Sequence, residues 1–476
     1  MARAIMDDGY VVGPPALVFA AIRKFEEDIK NNCGLTLQRT KCEVFSWTGE
    51  MPDNVIPGFT LAGTDVDGRF EPGFICVGAP IGSDAYAKEM MRRKVAELRV
   101  EVSKTMNLLK GEKQALWTCL RSSFSHKLEY WLAMVHPSQV EEAAREVDSM
   151  FWEVLEEVCS SHLPREEGPV TCQCCPQHGV TGLDPGIPGL PNISYQSLTA
   201  QLPIKLGGLG LRSQVALIPY AYYGAIEMSL PHFPAGICPQ LSHLYDEDVS
   251  EDVRWAALFD SNCRTGRELA ASMGKAREEV TTLCTYLGEE ELPTLHSGEL
   301  EGLGQGKTDG SSRATMVREV ERLRAAALTK AMAEFPDRTA RPVLVRKNTD
   351  KLSFAFLLAK PGPHSGIPSV HFSEQLLALL AVPSVLCRGR VGERVGQLKV
   401  DKWGDNVLNA TLPGGHMTRG HNVMKNTLNT LFRYCGILSE VEPYGVFADL
   451  IPQQPLNRAE AFRAAQTIIP DIRAEL

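Results

Sequence analysis

Residues 2–13 read ARAIMDDGYVVG, two short apolar runs flanking Asp7, Asp8 and Gly9. That is the pattern of a tight β-hairpin with an acidic pair at its turn. From Ala16 the run LVFAAIRKFEEDIKNNCG sets Val18, Ala21, Ile22, Phe25 and Ile29 on one helical face, with Gly34 at the stop. Strand-like segments LTLQ (35–38), CEVFSW (42–47) and GFICVG (73–78) come next. Residues 1–83 are therefore expected to form a mixed module of hairpin, helix and strands.

Helical patterning takes over at Asp84, where Met91, Val95, Leu98, Val102, Met106 and Leu109 make a continuous stripe. A second helix is expected from Glu112, with Leu116, Leu120, Phe124, Leu128 and Leu132 on one face until Pro137. Ser138 and Glu141 read as a capping box for a third, which carries Val140, Ala144, Val147, Phe151, Val154 and Val158. Three such helices joined by short turns predict a bundle over 84–163. Residues 164–194, rich in Pro, Gly and Cys without periodicity, read as a linker. Residues 195–385 read as a helical region, resuming at Ser213 and including a helix at 314–335 with Val317, Val320, Leu323, Leu328 and Met332. The stretch 386–476 reads as a small, loop-rich α/β piece with one more helix from His421. The expected fold class is α+β, mostly helical.

The 476 residues carry 49 Lys and Arg against 58 Asp and Glu, a net charge of -9, which excludes a protein that coats nucleic acid through overall basicity. The balance is uneven: residues 151–300 hold 20 acids and 8 bases, whereas 301–400 hold 9 acids and 16 bases. A polyanion would prefer the later stretch, where Arg318, Arg322, Arg346 and Lys347 are candidates for nucleic-acid contact; solvated helix faces are the alternative. Thirteen irregularly spaced cysteines without a charged-then-apolar leader point to a reducing, intracellular setting, nucleus or cytoplasm. QLLALLAVP (375–383), the most apolar run, is too short to span a bilayer, so no membrane partner is expected. Gly-Lys-Thr at 306–308 is not a phosphate-binding loop, because Glu301 stands where the first glycine belongs.

Adjacent carboxylates at a hairpin tip can hold a divalent ion against substrate phosphates, although Asp-Asp-Gly is also an ordinary turn. A two-metal site needs at least one more acid. Asp65 and Asp67 in GTDVDGRF could supply it, or could form a solvated turn. In TCQCCPQHG, Cys172, Cys174, Cys175 and His178 offer soft ligands for one Zn2+, with a reduced-thiol loop as the alternative.

MDDGYVVGPP, a helix, CGLTLQRTKCEVF and FICVGAPIGS follow one another in an order that resembles the second half of the reverse transcriptase palm of non-LTR retrotransposons. The resemblance implies that Asp7 and Asp8 are the Mg2+-binding catalytic pair, that Lys41 stands near the incoming triphosphate, and that Gly78 to Ser83 form the primer-grip turn. LKGEKQALWTCLRSSFSHKLEYWLAMVHP (109–137) looks like the following thumb, and LPIKLGGLGLRS (202–213) like the helical segment after it. Ile5 stands where the family usually has an aromatic, and the family's upstream acidic strand, fingers and template groove would precede residue 1. The chain is thus expected to be a partial RNA-directed DNA polymerase, a nucleotidyltransferase inactive alone, whose parent works on an RNA template and a DNA primer or target. The alternative is a non-catalytic nucleic-acid-binding or remnant scaffold protein.

Residues 400–432, VDKWGDNVLNATLPGGHMTRGHNVMKNTLNTLF, resemble the zinc-knuckle region that leads into the restriction-like endonuclease of some such elements. The matching core is Gly404-Asp405-Asn406, with Cys387, His416 and His421 as the conceivable ligands. VEPYGVFADLIP (441–452) and QTIIPDIRAEL (466–476) resemble the opening of that nuclease, with Asp471 and Glu440 or Glu442 as its acids.

Overall fold

The computed structural model describes residues 2–5, 8–163, 187–188, 190, 193–229, 264–289, 311–348, 352–358, 361 and 366–410, and then 422, 425–427, 429–430, 438–441 and 472–475. The chain falls into two compact units, Met1–Val382 and Pro383–Leu476. The fold is mostly helical with several small sheets, and among the described residues no helix is long and apolar enough to cross a membrane.

Strands β1 (Ala2–Ile5) and β2 (Asp8–Val11) pair antiparallel with Ile5 opposite Asp8. Helix α1 (Pro15–Cys33) begins with Pro at its first position and stops where Gly34 turns left-handed at φ 66, as the sequence led one to expect. Of its residues only Phe19 is buried. LTLQ, by contrast, forms no strand. The chain there enters a 3-10 turn, Arg39–Lys41, pinned because Arg39 grips Glu26 of α1 with two bonds of 2.9 and 2.7 Å. Short strands β3 (Glu43–Val44) and β4 (Thr60–Leu61) pair in parallel. An antiparallel meander follows: β5 (Gly63–Val66), β6 (Arg69–Cys76) and β7 (Ala79–Gly82). It packs on the next helix because Gly73 has no side chain; a Cβ there would lie 2.1 Å from the Tyr86 ring.

Where three helices were expected, four form: α2 (Asp84–Leu108), α3 (Lys113–Ser122), α4 (Glu129–Met134) and α5 (Pro137–Cys159). Met91, Val95, Leu98 and Val102 are buried, as are Leu116, Leu120, Phe124, Leu128 and Leu132. The second predicted helix nevertheless breaks at Ser123 into α3, a 3-10 turn (Phe124–His126) and α4. Its serines compete with the backbone ladder, as when Ser125 Oγ donates to the Arg121 carbonyl at 2.6 Å. The capping box is also corrected. His136 is the N-cap, Pro137 occupies the first turn, and Ser138 gives its hydroxyl and amide to Glu268 from another helix.

Beyond the bundle come α6 (Tyr195–Gln201), α7 (Gln214–Ser229), α8 (Arg264–Leu287), α9 (Ser311–Glu334), α10 (Arg341–Asn348) and α11 (Ser369–Leu379). Helix α7 packs on α4 and α5, α8 on α7, α9 on α7 and α8, and α11 on α3 and α5. The predicted bundle and the later helical region therefore share one core. Trp117, fully buried in α3, reaches across it to donate to the Leu357 carbonyl at 3.2 Å. The second unit contains α12 (Val385–Arg388), the hairpin β8 (Arg394–Val395) and β9 (Leu398–Lys399), α13 (Asp405–Asn409), and the antiparallel pair β10 (Leu438–Val441) and β11 (Ile472–Glu475).

Candidate functional site

Asp8 heads β2, while Asp7 lies outside the described residues. The strand that carries Asp8 reaches the meander through aromatic contacts. Tyr10 lies 6.4 Å from the Phe74 ring, Phe74 lies 5.1 Å from Phe45, and Phe45 meets Trp47 edge-on at 4.9 Å. Trp47 ends this row 70% exposed. Lys41 is exposed in its 3-10 turn, held in place by the neighbouring Arg39–Glu26 pair.

The β6–β7 turn shows the most constrained backbone in this region. Val77 and Gly78 both adopt positive φ, 49 and 82, which suits glycine but strains a β-branched residue. Two aromatic side chains from α4 hold the turn: the Tyr130 hydroxyl donates to the Val77 carbonyl, and Trp131 Nε1 donates to the Gly78 carbonyl at 3.0 Å. At the far end of β7, Ser83 serves the fold. Its hydroxyl accepts the Tyr86 amide at 3.1 Å, capping α2, and donates to Glu71 at 2.6 Å. Asp65 and Asp67 form a solvated turn in which the Asp65 carboxylate accepts the Gly68 amide at 2.9 Å.

Where α2 and α5 begin, their first turns meet, with Gln139 Nε2 donating to Asp84 at 2.8 Å. Arg264, at the start of α8, also binds Asp84. Burial alone would raise the Asp84 carboxyl; the bonds from Arg264 and Gln139 outweigh it and hold it below its usual range. His136 meets the Tyr222 hydroxyl at 2.7 Å, and burial, reinforced by Arg264, lowers its pKa. Deeper in, Asp148 of α5 caps α7, accepting the Ser213 hydroxyl at 2.6 Å and the Gln214 amide at 2.7 Å. Burial pushes this carboxyl up to about 6 despite those bonds.

The candidate basic residues divide. Arg346 donates to the Leu206 and Gly207 carbonyls at 3.2 and 3.1 Å and to Thr329, so its guanidinium stitches the LPIKLGG segment to α9 and α10. Arg322 is bonded to Glu289 and Glu319 at 2.9 and 2.7 Å. Arg318 and Lys347 are exposed.

In the second unit Glu440 stands opposite Arg473 across the β10–β11 pair. Glu442, Asp471, His416 and His421 lie outside the described residues, as do Cys172, Cys174, Cys175 and His178. Gly404 is left-handed (φ 83), and Cys387 Sγ would be 3.1 Å from a Cβ placed there. Asp405 opens α13, and Asp401 gathers the amides of Trp403, Asp405 and Asn406 at 2.7, 3.3 and 2.6 Å. Among the described residues, no group of three or more His, Cys, Asp and Glu side chains is placed to hold a metal ion.

Neither a protein-family model, nor a curated protein, nor a solved structure matches the chain. Sequence reasoning missed Tyr130, Trp131 and Asp148. The Glu-Tyr-Trp triplet at 129–131 lies within the thumb-like stretch, and nothing in it announces a partner 53 positions away.

Proposed function

We propose that the chain carries the catalytic hairpin, sheet and thumb of an RNA-directed DNA polymerase of the non-LTR retrotransposon kind, followed by a degenerate zinc knuckle and an endonuclease-like region. The observation that carries this reading is the strained Val77–Gly78 turn, which two aromatic donors fix to helix α4. A rigid turn there is what gripping a primer end requires. The hairpin headed by Asp8 and the exposed Lys41 precede it in the matching order.

Two adjacent carboxylates are hard oxygen donors that suit Mg2+, but two divalent ions need a further acid. When bound, the metal would supply Lewis-acid stabilisation to a phosphoryl transfer. Asp7 and Asp8 would orient the reacting phosphate, and Lys41 would offset charge on the departing pyrophosphate. RNA template and DNA primer are the partners in this reading.

Electron paramagnetic resonance with Mn2+ as the probe tests it, in the presence of an RNA–DNA primer–template and a deoxynucleoside triphosphate. The expected result is a bound-ion signal that Asp7→Asn and Asp8→Asn each remove. Binding of the hybrid with no ion signal that depends on either Asp would overturn the polymerase reading in favour of a non-catalytic nucleic-acid-binding protein.

A further inference from the structure

The second unit contains a concentration of positive charge that the catalytic reading leaves unused. Between Pro383 and Trp403 stand five bases, Arg388, Arg390, Arg394, Lys399 and Lys402, against two acids, Glu393 and Asp401. This lies within a chain of net charge -9. One of the two acids is already engaged. The Asp401 carboxylate accepts the three amides at the start of α13, which outweigh burial and keep its pKa low.

The β8–β9 hairpin sets two of the cations face to face. Its register puts Arg394 directly opposite Lys399 and Val395 opposite Leu398, so the chain reverses through Gly396 and Gln397 alone, with Gly396 at φ 62. Further bonds of 2.8 Å, from Gly392 to the Val400 carbonyl and from Val400 to the Glu393 carbonyl, fix that register. Directly opposed residues project from the same face of a sheet, and like charges in that position repel. Both side chains are exposed, and neither has an acidic partner among the described residues. Arg390 and Lys402 are exposed on the flanking segments. A cost built into a rigid hairpin is relieved by an anion placed between the two cations, and neighbouring cations suit a ligand with repeated negative charge.

We propose that the β8–β9 hairpin, centred on Arg394 and Lys399, binds the phosphate backbone of a nucleic acid. An anionic membrane fits less well, because interfacial binding needs a continuous apolar face. Here the exposed apolar residues of the stretch, Leu386, Val391 and Leu398, are separated along the chain by polar and charged residues. The inference is separate from the polymerase reading: Asp7 and Asp8 belong to the other unit, and this hairpin would bind a polyanion whether or not they hold metal.

The test uses the full chain and a short fluorescein-labelled single-stranded RNA of mixed sequence, with affinity followed by anisotropy across a salt series. The double variant Arg394→Gln, Lys399→Gln is expected to weaken binding about tenfold and to flatten the slope of log K against log salt by about 1.4, two phosphate contacts' worth. Arg394→Lys keeps the charge and should bind like the parent. Removing the opposed charges relieves repulsion, so the double variant should melt no lower than the parent, which separates lost contact from lost fold. Unchanged affinity and slope in the double variant would overturn the proposal. So would equal loss in a control double variant on α2, Lys88→Gln with Lys104→Gln, or tighter Arg394-dependent binding to phosphatidylserine vesicles than to RNA.

Discussion

Trp131 Nε1 donates to the Gly78 carbonyl at 3.0 Å, joining α4 to the tip of the β6–β7 hairpin across 53 positions of sequence. With the Tyr130 hydroxyl on the adjacent Val77 carbonyl, the carbonyls of both turn residues are taken by one helix. Val77 can hold its left-handed backbone because the turn is fixed from outside. The pair of bonds couples the sheet, and through Tyr10 and Phe74 the Asp8 strand, to the helical core.

Trp131→Phe keeps the ring's bulk and removes the donor, so it should cost about 1 kcal/mol and speed amide exchange at residues 76–80 selectively. Val77→Gly should act in the opposite sense on stability, gaining up to about 1 kcal/mol by releasing the left-handed strain. Urea unfolding with hydrogen exchange read by mass spectrometry measures both. Uniform exchange rates in Trp131→Phe, or a destabilised Val77→Gly, would show that the turn is held by other means.

Arg346 serves as a fold residue whose charge is spent on backbone carbonyls. Arg346→Ala strips a charged donor from Leu206, Gly207 and Thr329 and should destabilise the chain by about 2–3 kcal/mol. Lys should restore only part of this, because an ammonium lacks the planar fork that reaches two carbonyls at once. At a temperature where the variant remains folded, its RNA affinity should match the parent's. A selective loss of RNA binding without loss of stability would return Arg346 to the nucleic-acid surface.

Glu268 caps a helix to which it does not belong. Its carboxylate takes the Ser138 amide at 3.1 Å and the Ser138 hydroxyl, satisfying donors at the start of α5. Glu268→Ala should cost about 1 kcal/mol, as loss of an N-cap does. Glu141→Ala, the partner the local sequence nominated, should cost far less. The order of those two costs in thermal unfolding decides which acid does the capping.

What the sequence shows of this fold follows the reach of its periodicities. Met91, Val95, Leu98 and Val102 announce a buried stripe because their spacing alone fixes the face, and Gly34 announces a helix end because its conformation is local. The break at Ser123 was invisible, since five apolar residues kept the right spacing through it. Partners are a different matter. Ser138 with Glu268, Asp148 with Gln214 and Arg346 with Gly207 are joined only by tertiary packing, and a residue's capacity to bond does not name the bond it makes. The β1–β2 pair was legible as a hairpin, although Asp8 and Gly9, expected in its turn, open β2 instead, and Ser83, read as part of a binding turn, also caps α2.

Asp148 and His136 give the stability of the helical core two pH dependences of opposite sign. The Asp148 carboxyl is raised by burial from 3.8 to about 6, so the folded chain holds its proton more tightly than the unfolded chain. Its contribution is therefore fully present below about pH 4 and is lost as pH rises through about 6, up to about 3 kcal/mol in all. The pKa of His136 is lowered from 6.5 by burial and by Arg264, so the unfolded chain takes the proton first, and stability falls as pH drops below 6.5. Glu268 and Asp84 face the same imidazole and oppose the shift without reversing it. The two effects offset one another over much of the mildly acidic range, which makes the parent's pH profile flatter than either group alone would give. Asp148→Asn, which keeps one acceptor for Ser213 or Gln214, should lose the decline towards neutrality and become less stable in acid relative to neutral pH than the parent. His136→Gln, which preserves a neutral partner for Tyr222, should do the reverse and resist acid better. Urea midpoints measured from about pH 4 to about pH 8 distinguish these outcomes. If both variants shift the profile in the same direction, or neither changes its slope, burial does not perturb these two groups as described.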